Sequence, residues 1–310
     1  MRKRKKRPYR PEVKKNMNLG KLIKRFGCED RCNDYLAGLR WPDGIRCPRC
    51  KSEKVFAMPK RRIYECKECE YQFSVRVGTI FHDSKLPLWK WFAAVYMMAE
   101  SKKGISANQL KRMLNVSYKT AWYLCHRIRA SMKDEAPAFL RGIVEVDEAF
   151  IGGKRKRWQG GQFDNKACVV GAVERKEGGR VRLAVIPHRG KRPLHKFIGE
   201  NVHDDTQEIH TDEWAGYKGI GDHNTEHKTV NHSQHEWVHA DVHTNTCEGV
   251  WSLFKRSIVG SYHKLSKKHL PSYLDEMAFR YNNCENPYMF RDTLLKLISS
   301  DRVEYKKLTA

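Results

Sequence analysis

Three acids and one lysine in this sequence are spaced for work on a phosphodiester. Asp147 is read at the end of the strand GIVEVDEAFIGG, residues 142–153, and Asp212 at the end of the strand QEIHTDE, residues 207–213. Glu248 lies on the helix HTNTCEGVWSLFKRS, residues 243–257. Acids at strand ends and on an adjacent helix can converge on one edge of a sheet. Hard carboxylate oxygens so placed suit two Mg²⁺ ions about 3.5–4 Å apart, one to activate an attacking hydroxyl and one to stabilise the leaving oxygen. Lys255 stands almost two turns beyond Glu248, nearly in register with it. Both flank Trp251, at the rim of the apolar arc of Val250, Trp251, Phe254 and Ile258. There the lysine would sit over a substrate backbone; the plainer alternative is a solvated ion pair. Spacing does not choose the ligands uniquely. Glu145 shares the face of Asp147 by period-2 alternation, and Glu148 and Glu213 are next-door alternatives.

A second constellation is built from thiols. Cys47, Cys50, Cys66 and Cys69 form two Cys-x-x-Cys pairs with fifteen residues between them, the spacing of a four-thiolate zinc site. Each pair makes a tight knuckle, and a hairpin of VFAM and IYEC strands would bring the knuckles together. Zn²⁺ there would be structural, closing a module too small to hold its own core. Cys28 and Cys32 read as burial cysteines. His232, His235, His239 and His243 fit no standard metal spacing and read as packing or DNA-contacting residues. The loop IGGKRKRWQGGQFDNK, residues 151–166, carries Lys154, Arg155, Lys156, Arg157 and Lys166 around Trp158. It could grip DNA beside Asp147 through phosphate contacts and a stacking ring, or be a solvated surface loop.

The elements that must position these groups follow from periodicity. LPLWKWFAAVYMMAE is an amphipathic helix. Ser106 and Gln109 form a capping box for SANQLKRML, and Ser117 can cap YKTAWYLCHRIRASM after the turn Asn115-Val116-Ser117. Two helices joined by a three-residue turn, following another helix, make a helix-turn-helix pattern. Tyr118, Lys119, Thr120 and Tyr123 would then lie near the start of the groove-entering helix, unless the segment is only a helical linker. Beyond residue 140 the pattern changes: a strand, a hairpin across Gly178-Gly179, a short helix at 192–200, a strand ending in acids, then a short helix, a further strand, and helices at 243–257, 266–283 and 287–300. This is a mixed α/β layer fold.

Composition limits the partners. Sixty Lys and Arg against 36 Asp and Glu leave +24 over 310 residues. Such a field favours a polyanion, nucleic acid above all. The longest apolar run, WFAAVYMMA, is too short to span a bilayer. The basic start MRKRKKRPYRPEVKK is followed by no apolar segment; it reads as a disordered arm lying along phosphates, or as a solubilising tail. Ten cysteines without an export signal point to a reducing compartment, hence a cytoplasmic, nucleoid-associated protein.

Long motifs carry a resemblance. LRWPDGIRCPRC, YECKECEYQFSVRVGTIFHDSKLPLWKW, KKGISANQLKRMLNVSYKTAWYLCHRIR, IVEVDEAFIGGK, HTDEWAGY and VNHSQHEWVHADVHTNTCEGVWSLFKRSIVGSYH occur in that order across about residues 28–285. The chain thereby resembles bacterial insertion-sequence transposases of the zinc-ribbon DDE group, the ISXO-like type. With the arm, thiols and helices read above, the chain divides into a basic disordered arm at 1–27, a zinc ribbon at 28–85 and a helix-turn-helix-like DNA-binding segment at 86–135; the resemblance implies that 140–300 form an RNase H-like catalytic domain. It implies catalytic Asp147, Asp212 and Glu248, with 35 residues between the last two, and Lys255 as the lysine of an Asp-Asp-Glu-Lys signature. Some members of the group carry Asn as the third residue. Asn245 is therefore the alternative to Glu248, and could otherwise cap the helix. Expected partners are double-stranded DNA, at element ends and target, and further copies of the chain; no membrane is expected. Two rivals differ in outcome. A zinc-ribbon regulator with an inactive RNase H-like domain would bind DNA without the three acids. A stand-alone structure-selective nuclease would cut without joining.

Overall fold

The structure, a computed structural model, describes residues 17–153, 166–176, 178–221, 224–230 and 242–310. In chain order the elements are α1 (Leu19–Phe26), α2 (Glu29–Arg40), β1 (Val55–Met58), β2 (Ile63–Cys66), β3 (Gln72–Phe73), α3 (Leu88–Glu100), α4 (Ala107–Leu114), α5 (Tyr118–Met132), β4 (Ile143–Gly152), β5 (Lys166–Glu174), β6 (Val181–Ile186), α6 (Lys191–Asn201), β7 (Glu208–Asp212), β8 (Glu226–Val230), α7 (Asn245–Ser257), α8 (Leu270–Asn282), α9 (Met289–Ser299) and α10 (Tyr305–Thr309). They form two compact units. One comprises residues up to Ser101 with Ala107–Met132 and Asn286–Ala310; the other comprises Lys102–Ser106 and Lys133–Glu285. Among the described residues no helix is long and apolar enough to cross a membrane.

In the first unit the small sheet β1-β2-β3 is antiparallel throughout. The helices pack around an aromatic cluster in which Phe26 lies 5.0 Å from Phe92 and 5.8 Å from Phe290, ring centre to ring centre. Two sequence expectations change here. The segment expected as a basic arm up to residue 27 is helical from Leu19. Asn18 caps it by accepting from the amide of Lys21 at 2.9 Å, and Leu22 and Phe26 are buried. The capping Asn18 and the apolar spacing of Leu19, Leu22, Ile23 and Phe26 were the signal, set among lysines and arginines. At the other end, α9 belongs with this unit and not with the α/β domain expected to run to residue 300: its buried Phe290, Leu294 and Leu297 face helices of the first unit, and the carbonyl of Leu297 accepts from the amide of Ile80.

The second unit holds a five-stranded sheet in the order β6-β5-β4-β7-β8. β4, β5 and β6 are antiparallel neighbours, while β7 and β8 run parallel to β4. This is the RNase H-like arrangement. β5, KACVVGAVE, is buried on both faces, which explains its unbroken apolar run. One face is covered by α6, whose Leu194, Phe197 and Ile198 pack with Val144, Val146, Val170 and Ile209. On the other, Val250, Trp251 and Phe254 of α7 and Leu270, Leu274 and Met277 of α8 pack with Ala149, Val169 and Val173.

Candidate active site

Asp147 is in the middle of β4, not at its end as the sequence suggests. β4 continues to Gly152 along β5, but its ladder with β7 stops at Glu145–His210. Beyond that rung the two strands part, and Asp212 ends β7 opposite the gap. The alternation of β4 turns Asp147 toward α7 and Glu148 toward α6. At the gap their carboxylates meet around the sheet edge: ligand oxygens of Asp147, Glu148 and Asp212 all lie within 4.8 Å of one another.

Each acid is held. Asp147 accepts from the Glu148 amide at 2.8 Å and from the Trp251 indole N–H at 3.0 Å. Asp212 accepts from the Trp214 amide at 3.0 Å. Glu148 accepts from the Tyr217 hydroxyl at 2.6 Å. Burial, and after it the charge of Glu148 with a smaller push from Asp212, drives the Asp147 carboxyl up to about 7. Burial likewise raises Glu148. Acids so crowded favour a positive occupant, and their hard oxygens fit a divalent cation of the magnesium type.

Asp147 and Glu148 border an open cleft of about 870 Å³, whose other walls include Phe150, Lys166, Glu248, Trp251, Lys255 and Arg256. Glu248 and Lys255 are exposed on α7 and face this space, while Val250, Trp251 and Phe254 are buried as the apolar arc required. Glu248 stands outside the group of three close acids, and its carboxylate has no partner among the described residues. Asn245 is exposed at the first position of α7 and does not line the cleft. It does not cap the helix either. Thr244 occupies the cap position, and the first-turn amides of Thr246 and Cys247 donate to Glu145 at 2.8 and 3.0 Å.

Glu145 is thereby structural. Its side chain is fully buried and also pairs with Arg175 at 2.8 Å. Arg175 reaches His210, His243 and the His243 carbonyl. This network fixes α7 against the sheet. Glu213 is exposed and outside the acid group. His232, His235 and His239, with Lys154, Arg155, Lys156, Arg157 and Trp158, lie outside the described residues.

Comparison with known proteins shows the family. The family model for the ISXO2-like transposase domain matches residues 139–282, and that for the transposase zinc-ribbon domain matches residues 27–72. A protein of transposable element ISH50 from Halobacterium salinarum is 31% identical over 280 residues, covering 83% of this chain and 92% of its own length. The chain belongs to the ISXO2-like transposase family. A chain in the simian T-cell lymphotropic virus intasome, in complex with PP2A regulatory subunit B56 gamma, aligns with a TM-score of 0.32 and 11% identity, over 61% of this chain and 65% of that one; so distant a likeness adds nothing to the assignment.

The zinc-ribbon part of this transposase-family chain brings its four thiols together. Cys47 and Cys69 sulfurs are 3.7 Å apart, Cys50 and Cys66 sulfurs 3.4 Å. Corners of a tetrahedron about 2.3 Å from its centre are about 3.8 Å apart, so the donor set fits zinc. The knuckles are built alike. The Cys47 amide donates to the Ser52 carbonyl and the Cys66 amide to the Tyr71 carbonyl, and Lys51 and Glu70, just after each pair, are left-handed. Burial pushes the Cys47 thiol up, but the backbone amides of Cys50 and Arg49 more than reverse it, to about 6. Cys32 is buried; Cys28 is exposed.

The helix-turn-helix expectation falls on α4 and α5, joined through Asn115 at φ 48°. Ser117 Oγ accepts from the Thr120 amide at 3.1 Å, and the two hydroxyls bond at 2.9 Å, so Thr120 serves the cap. Tyr118 is exposed, Lys119 lies 4.6 Å from the Tyr305 ring, and the Tyr123 hydroxyl donates to the Val303 carbonyl. What sequence reading missed is the support around the acids: the roles of Trp251, Trp214 and Tyr217. The aromatic residues within TDEWAGY, close behind Asp212, were the available signal.

Proposed function

We propose that this protein is the transposase of an insertion sequence, cutting and joining DNA at the ends of its element. The observation that carries the reading is the convergence of Asp147 and Asp212 from adjacent strands at the mouth of a cleft walled by Glu248, Lys255 and Arg256. Asp147, Asp212 and Glu248 would hold two divalent cations, with magnesium the fitting choice for an all-carboxylate set. When bound, such ions supply Lewis-acid stabilisation of the attacking and leaving oxygens.

The chain's own groups do the positioning. Trp251 and the Glu148 amide fix both oxygens of Asp147, and the Trp214 amide fixes Asp212. Glu248 would approach them from α7. Lys255 and Arg256 lie along the phosphates of the strand being cut. Hydrolysis frees a 3′-hydroxyl, and the same acids direct that hydroxyl at a target phosphodiester without a covalent protein–DNA intermediate. The zinc ribbon, with structural Zn²⁺, and the α4–α5 segment, through Tyr118 and Lys119, bind the terminal inverted repeats. Lys154, Arg155, Lys156 and Arg157 grip DNA beside Asp147. Two ends must be cut together, so the working form is a homo-oligomer on DNA, in the cytoplasm at the nucleoid.

The test is a two-plasmid transposition assay, with a marker flanked by the DNA on either side of this gene and the protein supplied in trans. Marker joining with wild type and its loss with Asp147→Ala is the expected result. Binding of those ends without any joining would overturn the reading in favour of a DNA-binding regulator.

A further inference from the structure

Next to the acids lies a basic feature that the motifs above leave unexplained. His188, Arg189, Lys191 and Arg192 are four basic residues within five, between β6 and the first turn of α6, and all but Arg189 are exposed. The guanidinium carbon of Arg189 lies over the indole of Trp214, 3.7 Å from the ring centre, and 5.8 Å from the ring centre of Phe150, which walls the cleft. Trp214 is itself tied twice: its ring N–H donates to the Arg189 carbonyl at 2.7 Å, and its amide donates to Asp212 at 3.0 Å. The stack is thus fixed with respect to the acid at the end of β7.

The charge of Arg189 is poorly used within the protein. Its ion pair with Oε1 of Glu148 is 3.7 Å long, beyond hydrogen-bond reach, while the other oxygen, Oε2, accepts from the Tyr217 hydroxyl at 2.6 Å. A guanidinium placed only to neutralise Glu148 would form the short two-pronged pair that carboxylate geometry allows. Instead the side chain is 39% exposed, with its planar fork held in one orientation by an aromatic face. A pre-oriented fork of that kind matches the oxygens of a phosphodiester.

We propose that Arg189 contacts a backbone phosphate of the DNA at the mouth of the acid site, presented there by Trp214, and that the exposed His188, Lys191 and Arg192 extend the same lip. The inference rests on the transposase reading and adds to it a second DNA-gripping edge, on the α6 side of the cleft. Lys255 and Arg256 occupy the α7 side.

The experiment is a salt series of equilibrium binding by the full chain to a duplex taken from the DNA flanking the gene, in Mg²⁺, followed by fluorescence anisotropy. Arg189→Ala and Arg189→Gln should bind roughly tenfold more weakly. The slope of log affinity against log salt should be shallower than wild type by about 0.9, the loss of one phosphate contact. Arg189→Lys, which keeps the charge, should retain the wild-type slope. Thermal melting separates contact from folding. An Arg189→Ala protein whose slope matches wild type overturns the inference, whether its affinity or melting temperature falls or not. A wild type that binds no duplex overturns the transposase reading itself, and the inference with it.

Discussion

The indole nitrogen of Trp251 donates to Oδ2 of Asp147 at 3.0 Å, and it can do so because Gly171 has no side chain. Gly171 is the rung partner of Asp147 on β5, and a Cβ there would come within 2.8 Å of the Trp251 ring. The tryptophan therefore lies across the sheet at a rung that offers it room, and its N–H reaches the acid. Gly171→Val should displace the ring and destabilise the α/β unit by about 1–3 kcal/mol. Trp251→Phe loses the donor and leaves part of the indole's buried volume empty, so stability should fall by about 1–3 kcal/mol and transposition roughly tenfold beyond what that loss of folded protein explains. Calorimetry and the transposition assay, run on both variants, separate the two effects. Equal activity for Trp251→Phe and wild type would remove the indole from the positioning of Asp147.

Which glutamate completes the proposed metal site can be decided by charge removal without change of shape. Glu148 is close to Asp147 and Asp212 but already bonded to Tyr217; Glu248 faces the cleft with no partner among the described residues. An acid without a competing donor is the better placed to take up a cation. Glu248→Gln should lower strand transfer on the order of a thousandfold, the several kcal/mol expected of a lost metal ligand. Glu148→Gln should cost about tenfold, and Asn245→Ala should stay near wild type. The reverse ranking of the two glutamates would assign the cation to the cluster as it stands.

Removing zinc should act on the ribbon alone. Four sulfurs converge there beside a small core, in which Cys47, Cys66 and Phe73 are buried and Trp41, Ile45, Val55, Tyr64, Tyr71 and Val77 pack partly buried, too little apolar area to hold β1–β3 unaided. The purified chain should contain one zinc per molecule by elemental analysis, and Cys66→Ser should lose it. End binding should fall with the metal, while the calorimetric transition of the α/β unit persists. Retention of end binding by a zinc-free Cys66→Ser protein would take the ribbon out of DNA recognition.

What could be read from the sequence was what depends on neighbours along the chain. The two Cys-x-x-Cys pairs, the hairpin strands, the apolar arc of α7 and the cap of Ser117 are all set within a few residues. Asp147 and Asp212 were legible as strand acids by the same logic. The meeting of Glu148 with them was not, because it depends on where the β4–β7 ladder stops, and alternation alone sends Glu148 to the opposite face. Glu145 was equally hidden. Its period-2 match to Asp147 suggests a ligand, yet its partners Thr246 and Cys247 lie 101 and 102 residues away, and only the packed helix reveals them. The place of α9 fails to show for the same reason: its apolar face would suit either unit, and long-range packing chooses.

Glu174 gives the second unit a handle on acid stability. Its side chain is fully buried at the end of β5, where it accepts from Arg180 at 2.8 Å, from Lys176 at 3.1 Å and from the Arg141 amide at 3.0 Å. Burial pushes its carboxyl up, but these donors, Arg180 foremost, hold it down at about 2 against an ordinary 4.5. A carboxyl with a depressed folded-state pKa binds protons more readily when unfolded. Its stabilisation is therefore complete above about pH 5 and is lost as pH falls from there toward 2. Urea midpoints of the wild type should drop across that window, and Glu174→Gln, which is already less stable at neutral pH, should drop less. The difference between the two proteins should shrink as the pH is lowered. A gap that stays constant from neutral pH to pH 3 would mean that Glu174 contributes through packing and not through its charge.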